Sequence, residues 1–157
     1  MRPLRIYVDT SVVGGCLDEE FREASVRLFD KCRAGEAILI ISDTMLGELD
    51  GAPNAVRRTL DSLPPGRVEY VFLDAVSNRL AFEYLDKKVV PRKMRSDAQH
   101  IALATVAKAD VVVSWNFKHI VNLDRIRAFN AVNLGGGYPP LDIRSPMEIW
   151  SDENEDI

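Results

Sequence analysis

The sequence predicts an α/β protein in which a parallel sheet of four or five strands is covered by helices on both faces. Three observations lead there. Short apolar runs alternate along the chain with segments of helical periodicity. Those runs are apolar throughout rather than alternating in polarity, as strands buried on both faces must be. No internal repeat or low-complexity linker divides the chain, so one domain is expected over residues 1–150.

Taken in order, Leu4–Val8 is a β-branched and aromatic run that reads as a strand, and Asp9-Thr10-Ser11 as the turn that ends it. Glu20–Ala34 places Val26, Leu28, Phe29 and Cys32 at helical spacing, with Gly35 where a helix-terminating glycine belongs. Ala37–Ile41 is a second strand, and Ser42-Asp43-Thr44 offers a cap for a helix that carries Glu48. A short helix is expected over Asn54–Leu63, followed by the breaker Pro64-Pro65-Gly66. Val68–Leu73 reads as a third strand and Ala75–Lys88 as an amphipathic helix with Leu80, Ala81, Tyr84 and Leu85 inward. Ser96–Lys108 carries an apolar stripe and an S-x-x-Q capping pattern from Ser96 to Gln99. Val111–Val113 is a fourth strand, Ile120–Phe129 a helix, Gly135–Pro140 a loop and Leu141–Ile143 a last short strand.

Composition narrows the function classes. The chain is 46% hydrophobic and 28% charged, which suits a packed core and excludes a disordered protein. No apolar run reaches the ~18 residues that cross a bilayer, and the N-terminus has no signal-peptide layout. Two cysteines without CxxC spacing make no disulfide scaffold, so a reduced, cytoplasmic setting is expected. The net charge of −4 argues at first against a nucleic-acid partner. Four acids, however, fall in residues 151–157, a short acidic tail expected to be disordered, and without them the net charge is zero.

Ligands of open α/β sheets bind at the carboxyl ends of the strands. Asp9 directly follows the first strand, Asn116 lies just past the fourth, Glu48 follows the second, and Asp97 opens a helix. Singly, each has an ordinary role as turn former, cap or solvated acid. Together they describe one acidic pocket, whose carboxylates need a cation to stay ionised side by side. Oxygen donors select Mg²⁺ or Mn²⁺. His100 and His119 stand too far apart for a zinc motif, and a packed or partner-facing role is expected for them. The stretch from Lys87 to Arg95 holds Lys87, Lys88, Arg92, Lys93 and Arg95, five cations in nine residues, and leads into Asp97. Lys118 extends that surface, which would meet the phosphates of a polyanion. Ser11 is placed to hydrogen-bond a metal-bound water or a phosphate, or simply to form the turn. A metal held by acids beside a cationic lip points to phosphodiester hydrolysis. There is no Ser-His-Asp or Cys-His arrangement for a covalent route. The first strand lacks a GxGxxG turn, and Ser11 stands where an aspartyl phosphotransferase wants its second acid.

These residues resemble a PIN domain, and within that family the VapC-type toxins of type II toxin–antitoxin systems. The segments that carry the resemblance are Tyr7-Val8-Asp9-Thr10-Ser11-Val12, Leu46-Gly47-Glu48-Leu49, Ser96-Asp97-Ala98-Gln99-His100-Ile101-Ala102-Leu103-Ala104 and Val113-Ser114-Trp115-Asn116-Phe117-Lys118-His119. It spans about Leu4 to Ser145. The resemblance implies a three-layer α/β/α fold and a Mg²⁺- or Mn²⁺-dependent ribonuclease, commonly homodimeric and neutralised by a small antitoxin. It implies that Asp9, Glu48 and Asp97 bind metal and that Asn116 occupies the place of a fourth acid. The amide is a departure: it leaves three formal charges in the pocket where many members have four. The alternative reading is a PIN-like module that binds RNA or protein with weakened catalysis.

Overall fold

A computed structural model describes residues 2–150; the acidic 151–157 segment lies outside the described residues. Five strands form one sheet, and every adjacent pair is parallel. They are β1 (Leu4–Val8), β2 (Ala37–Ser42), β3 (Val68–Val71), β4 (Val111–Val113) and β5 (Ile143–Arg144). Their spatial order is β3-β2-β1-β4-β5. The chain builds outward from β1 in one direction, then returns to lay β4 against its other side. The direction of winding therefore reverses between β1 and β4, and that is where a doubly wound sheet leaves a crevice.

Successive residues of a strand face opposite sides, and the core divides accordingly. Ile6, Val8, Leu39, Ile41, Val111 and Val113 pack under α1 (Thr10–Gly15), α2 (Arg22–Arg33), α3 (Asp43–Glu48) and α4 (Asn54–Asp61). Tyr7, Ile40, Val112 and Ile143 pack under α5 (Ala75–Asp86), α6 (Arg95–Val106) and α7 (Leu123–Gly135). This is the three-layer α/β/α arrangement, with helices on both faces as the apolar strands require.

Four helices end in the same way. After α2, Gly35 adopts φ +85°, its N–H bonds Cys32 O, and Glu36 N–H bonds Lys31 O. After α7, Gly137 adopts φ +84° with the equivalent bonds to Leu134 and Asn133. Both are Schellman ends with glycine in the left-handed position. Helices α5 and α6 make the same pair of bonds with lysine there: Lys88 at φ 60° and Lys108 at φ 56°.

Several boundaries move from the sequence expectation. The Asp9-Thr10-Ser11 turn is the start of the short helix α1. Helix α6 opens one residue earlier, at Arg95, and the Ser96–Gln99 capping box does not form; the Ser96 hydroxyl donates instead to Glu48 Oε1 at 3.0 Å. The helix expected over Ile120–Phe129 starts at Leu123, capped by Asn122, and runs to Gly135, so the glycine loop begins later. β3 stops at Val71, and β5 is Ile143–Arg144 rather than Leu141–Ile143. Ser42 does cap α3, accepting the Met45 N–H at 3.1 Å.

Candidate active site

The β1–β4 register sets the site. Val8 pairs with Val113, so the next residues, Asp9 and Ser114, emerge side by side at the carboxyl ends of the two strands. Asp9 is 5% exposed. Ser11 Oγ donates to Asp9 Oδ1 at 2.6 Å and Ser114 Oγ to Oδ2 at 2.5 Å. Each serine also accepts a backbone N–H of the β4 turn: Trp115 N to Ser11 Oγ at 2.9 Å, and Asn116 N to Ser114 Oγ at 2.9 Å. The carboxylate is thereby fixed from both sides.

Asp97, in the first turn of α6, meets this cluster through Asn116, whose Nδ2 donates to Asp97 Oδ2 at 3.3 Å. The Asn116 carbonyl is itself engaged, accepting the His119 N–H at 2.9 Å. Burial pushes the Asp9 carboxyl above its ordinary range, against the opposing pull of His100 and the two serines. Burial also raises Asp97; His100 and His119 oppose it, and the negative charge of Asp9 adds to the rise. Two carboxylates that are desolvated and mutually repulsive form a site in want of a cation.

Glu48 has a different environment. His100, 2% exposed in α6, places Nε2 2.6 Å from Glu48 Oε1 and Nδ1 2.6 Å from the Tyr7 hydroxyl. Tyr7 OH in turn lies 2.8 Å from Ser42 Oγ. A chain of hydrogen bonds thus runs from the cap of α3 through the sheet to Glu48. Burial works to raise the Glu48 carboxyl, but the hydrogen bond and charge of His100, with Ser96, outweigh it and hold it low. Thr10, whose hydroxyl approaches Glu48, completes no hydrogen bond of ordinary geometry.

Asp9, Asp97 and Asn116 therefore come together, whereas Glu48 is committed to His100 and Ser96. Among the described residues, no three acid, histidine or cysteine side chains form a metal-ligand group. The carboxylate pair remains suited to Mg²⁺ or Mn²⁺, because such ions keep most of their waters and need only one or two protein carboxylates. Ser11 commits its one proton to Asp9 and accepts the Trp115 N–H, which leaves one lone pair open. In the basic stretch, Lys87 pairs with Glu83 at 3.6 Å. Lys88, Arg92, Lys93 and Arg95 are exposed, as is Lys118, and none has an ion pair among the described residues. Val89 and Val90 are buried and anchor the stretch to the core.

Sequence reasoning missed Ser114 and Tyr7; it expected His100 to be packed, as it is, but not its bonds to Glu48 and Tyr7. Ser114 was recoverable as the residue after an apolar strand beside the strand that ends at Asp9. The Tyr7–His100 contact joins residues 93 apart and depends on how α6 packs.

No family profile matches the sequence, and no curated protein matches it. Solved structures do resemble it in three dimensions. VapC20 of Mycobacterium tuberculosis, described as a sarcin-ricin loop cleaving toxin, is 17% identical with a TM-score of 0.53, over 68% of this chain and 86% of that one. A chain of VapBC2 from Rickettsia felis, solved with a promoter DNA fragment, is 14% identical with a TM-score of 0.56, over 94% of this chain and 100% of that one. A chain of FitAcB from Neisseria gonorrhoeae is 16% identical with a TM-score of 0.55, over 92% and 99%. With one parallel five-stranded sheet, helices on both faces and this likeness, the chain has the PIN-like fold of these neighbours.

Proposed function

We propose that the chain is a Mg²⁺- or Mn²⁺-dependent endoribonuclease that hydrolyses RNA phosphodiester bonds. The observation that carries this reading is the Asp9–Asp97 pair at the reversal between β1 and β4. Both carboxyls are raised by burial, and Asp97 further by repulsion from Asp9. Asp9 and Asp97 would hold the ion, which supplies Lewis acidity toward a phosphoryl oxygen and an activated water. Ser11 and Ser114 keep Asp9 in one orientation, and Asn116 steadies Asp97. Glu48, fixed by His100, adds negative potential at the edge of the pocket. Lys88, Arg92, Lys93, Arg95 and Lys118 supply sequence-independent attraction for the phosphate backbone. One structural neighbour is described as cleaving the sarcin-ricin loop, and others were solved as toxin–antitoxin pairs. By that likeness the chain is proposed to be a toxin, homodimeric and controlled by a small antitoxin.

Asn116 supports a second reading, a PIN-like RNA- or protein-binding module with weakened catalysis. Its amide brings no charge and its carbonyl already accepts the His119 N–H.

Cleavage of RNA with Mg²⁺ or Mn²⁺, combined with calorimetric Mn²⁺ titration, tests both. The parent should cleave and bind Mn²⁺. Asp9→Asn and Asp97→Asn should each lower cleavage by roughly 10²–10³-fold, the scale of losing a principal charge-stabilising group. Variants that cleave like the parent sink the assignment. RNA binding with neither cleavage nor Mn²⁺ uptake selects the binding module.

A further inference from the structure

The turn after β4 presents an aromatic ring to solvent one residue beyond Asn116. Phe117 is 49% exposed. Exposure here does not come from looseness, because the turn is pinned at every step. The Asn116 carbonyl oxygen of the main chain accepts Ile120 N–H at 3.1 Å and Val121 N–H at 2.8 Å. Asn122 Nδ2 donates to Phe117 O at 2.8 Å and to Lys118 O at 2.9 Å. Phe117 N–H donates to Trp115 O at 3.1 Å.

The ring is also backed. Trp115 meets Phe117 edge-on, with centroids 6.2 Å apart and planes at 66°. Trp115 is itself held by a stack on Phe21 at 4.3 Å, and its Nε1 donates to Ser25 Oγ at 2.8 Å. The next residue, Lys118, is exposed and without an ion pair among the described residues. A rigid, half-exposed aromatic beside a free ammonium is the pairing that single-stranded nucleic acid requires: a π face for a base and a cation for its phosphate. A duplex, with its bases stacked internally, gives such a ring no partner.

We propose that Phe117 is a base-stacking residue that holds an unpaired nucleotide beside the Asp9–Asp97 pair, with Lys118 contacting the adjoining phosphate. This rests on the ribonuclease reading and adds to it a residue that grips the RNA beside the site. A protein partner would also cover an exposed phenyl ring, but it would need apolar bulk rather than a π face, and a substitution separates the two.

The test uses the full chain in EDTA, which prevents cleavage. Binding of a fluorescein-labelled 12-nucleotide single-stranded RNA and of the same sequence as a blunt duplex is followed by anisotropy over a salt series. Phe117→Ala and Phe117→Leu should each weaken single-strand binding by about 10-fold or more, while Phe117→Trp stays within about threefold of the parent. Duplex affinity should not change. The salt slope of the Phe117 variants should match the parent, whereas Lys118→Gln should flatten it by somewhat less than one. Melting temperatures near the parent's confirm that the half-exposed position tolerates these changes.

Phe117→Ala with parental affinity overturns the proposal and leaves the ribonuclease reading standing. Phe117→Leu with parental affinity also overturns it, because bulk alone then suffices and an apolar protein contact is favoured. A parent that neither binds nor cleaves RNA removes the ribonuclease reading and this inference with it.

Discussion

Asp97 sits where opposing preferences meet. The first turn of α6 favours a negative charge by ~0.3–1 kcal/mol, while burial and the neighbouring Asp9 disfavour it. The raised carboxyl shows which prevails. A group whose pKa is higher folded than unfolded binds protons more tightly when folded. Its penalty is absent below the unfolded value of ~4, grows as pH rises through the folded value, and is complete above it. Asp97→Asn should therefore stabilise the fold at pH 7.5, on the order of 1 kcal/mol after solvent screening. That is about 2–4 °C in Tm for a chain of this size. Melts at pH 7.5 and pH 4 check it: the gain should shrink toward zero at the lower pH. The places of Asp9 and Asp97 were legible in the sequence, because one follows a strand and the other opens a helix. The partners of Asp9 and Glu48 were not. Ser114 lies 105 residues from Asp9, and His100 lies 52 from Glu48. Only the strand register and the seating of α6 bring them together.

At the scale of the elements, helix ends show the clearest division between what local sequence states and what it conceals. Gly35 announces the end of α2. Lys108 does not announce the end of α6, although it makes the same backbone bonds at φ 56°. A side chain in that conformation costs roughly 1 kcal/mol or more, and glycine removes the strain. Lys108→Gly should raise stability by about 0.5–1 kcal/mol in urea denaturation, with an unchanged m-value. The failed Ser96 capping box has a tertiary cause. The hydroxyl that local pattern assigns to a backbone N–H is drawn across to Glu48 on α3. The early start of α1 escaped because Asp9, Thr10 and Ser11 read as turn residues, while burial of Val12 and Val13 against the sheet stabilises one and a half turns of helix. The central strands β1 and β4, in contrast, were legible to the residue, because a strand covered on both faces has no polar positions to blur it.

Across the whole molecule, net charge is a poor guide and its distribution a good one. Desolvated acids gather at the winding reversal, while unpaired cations collect on α6 and the segment before it. The sheet order also makes the molecule indivisible. β1 lies at its centre, flanked by strands that arrive about 30 and 100 residues later. A fragment ending before Asp110 keeps β1, β2 and β3 but bares the β4 side of β1 and one flank of each core. Such a fragment should show no cooperative melt by circular dichroism, in contrast to the full chain.

The same strand order sets a clock on the chain as it is made. Asp9 leaves a ribosome 105 residues before Ser114, with Asn116 and Phe117 close behind the serine. Until those later residues are out and β4 has slotted in, the early carboxylate has neither its clamp nor its neighbour Asp97 in place. Whatever reactivity the pocket possesses is withheld over that interval and appears in one step when β4 is added. The interval before that step is long enough for other molecules to reach the nascent chain first.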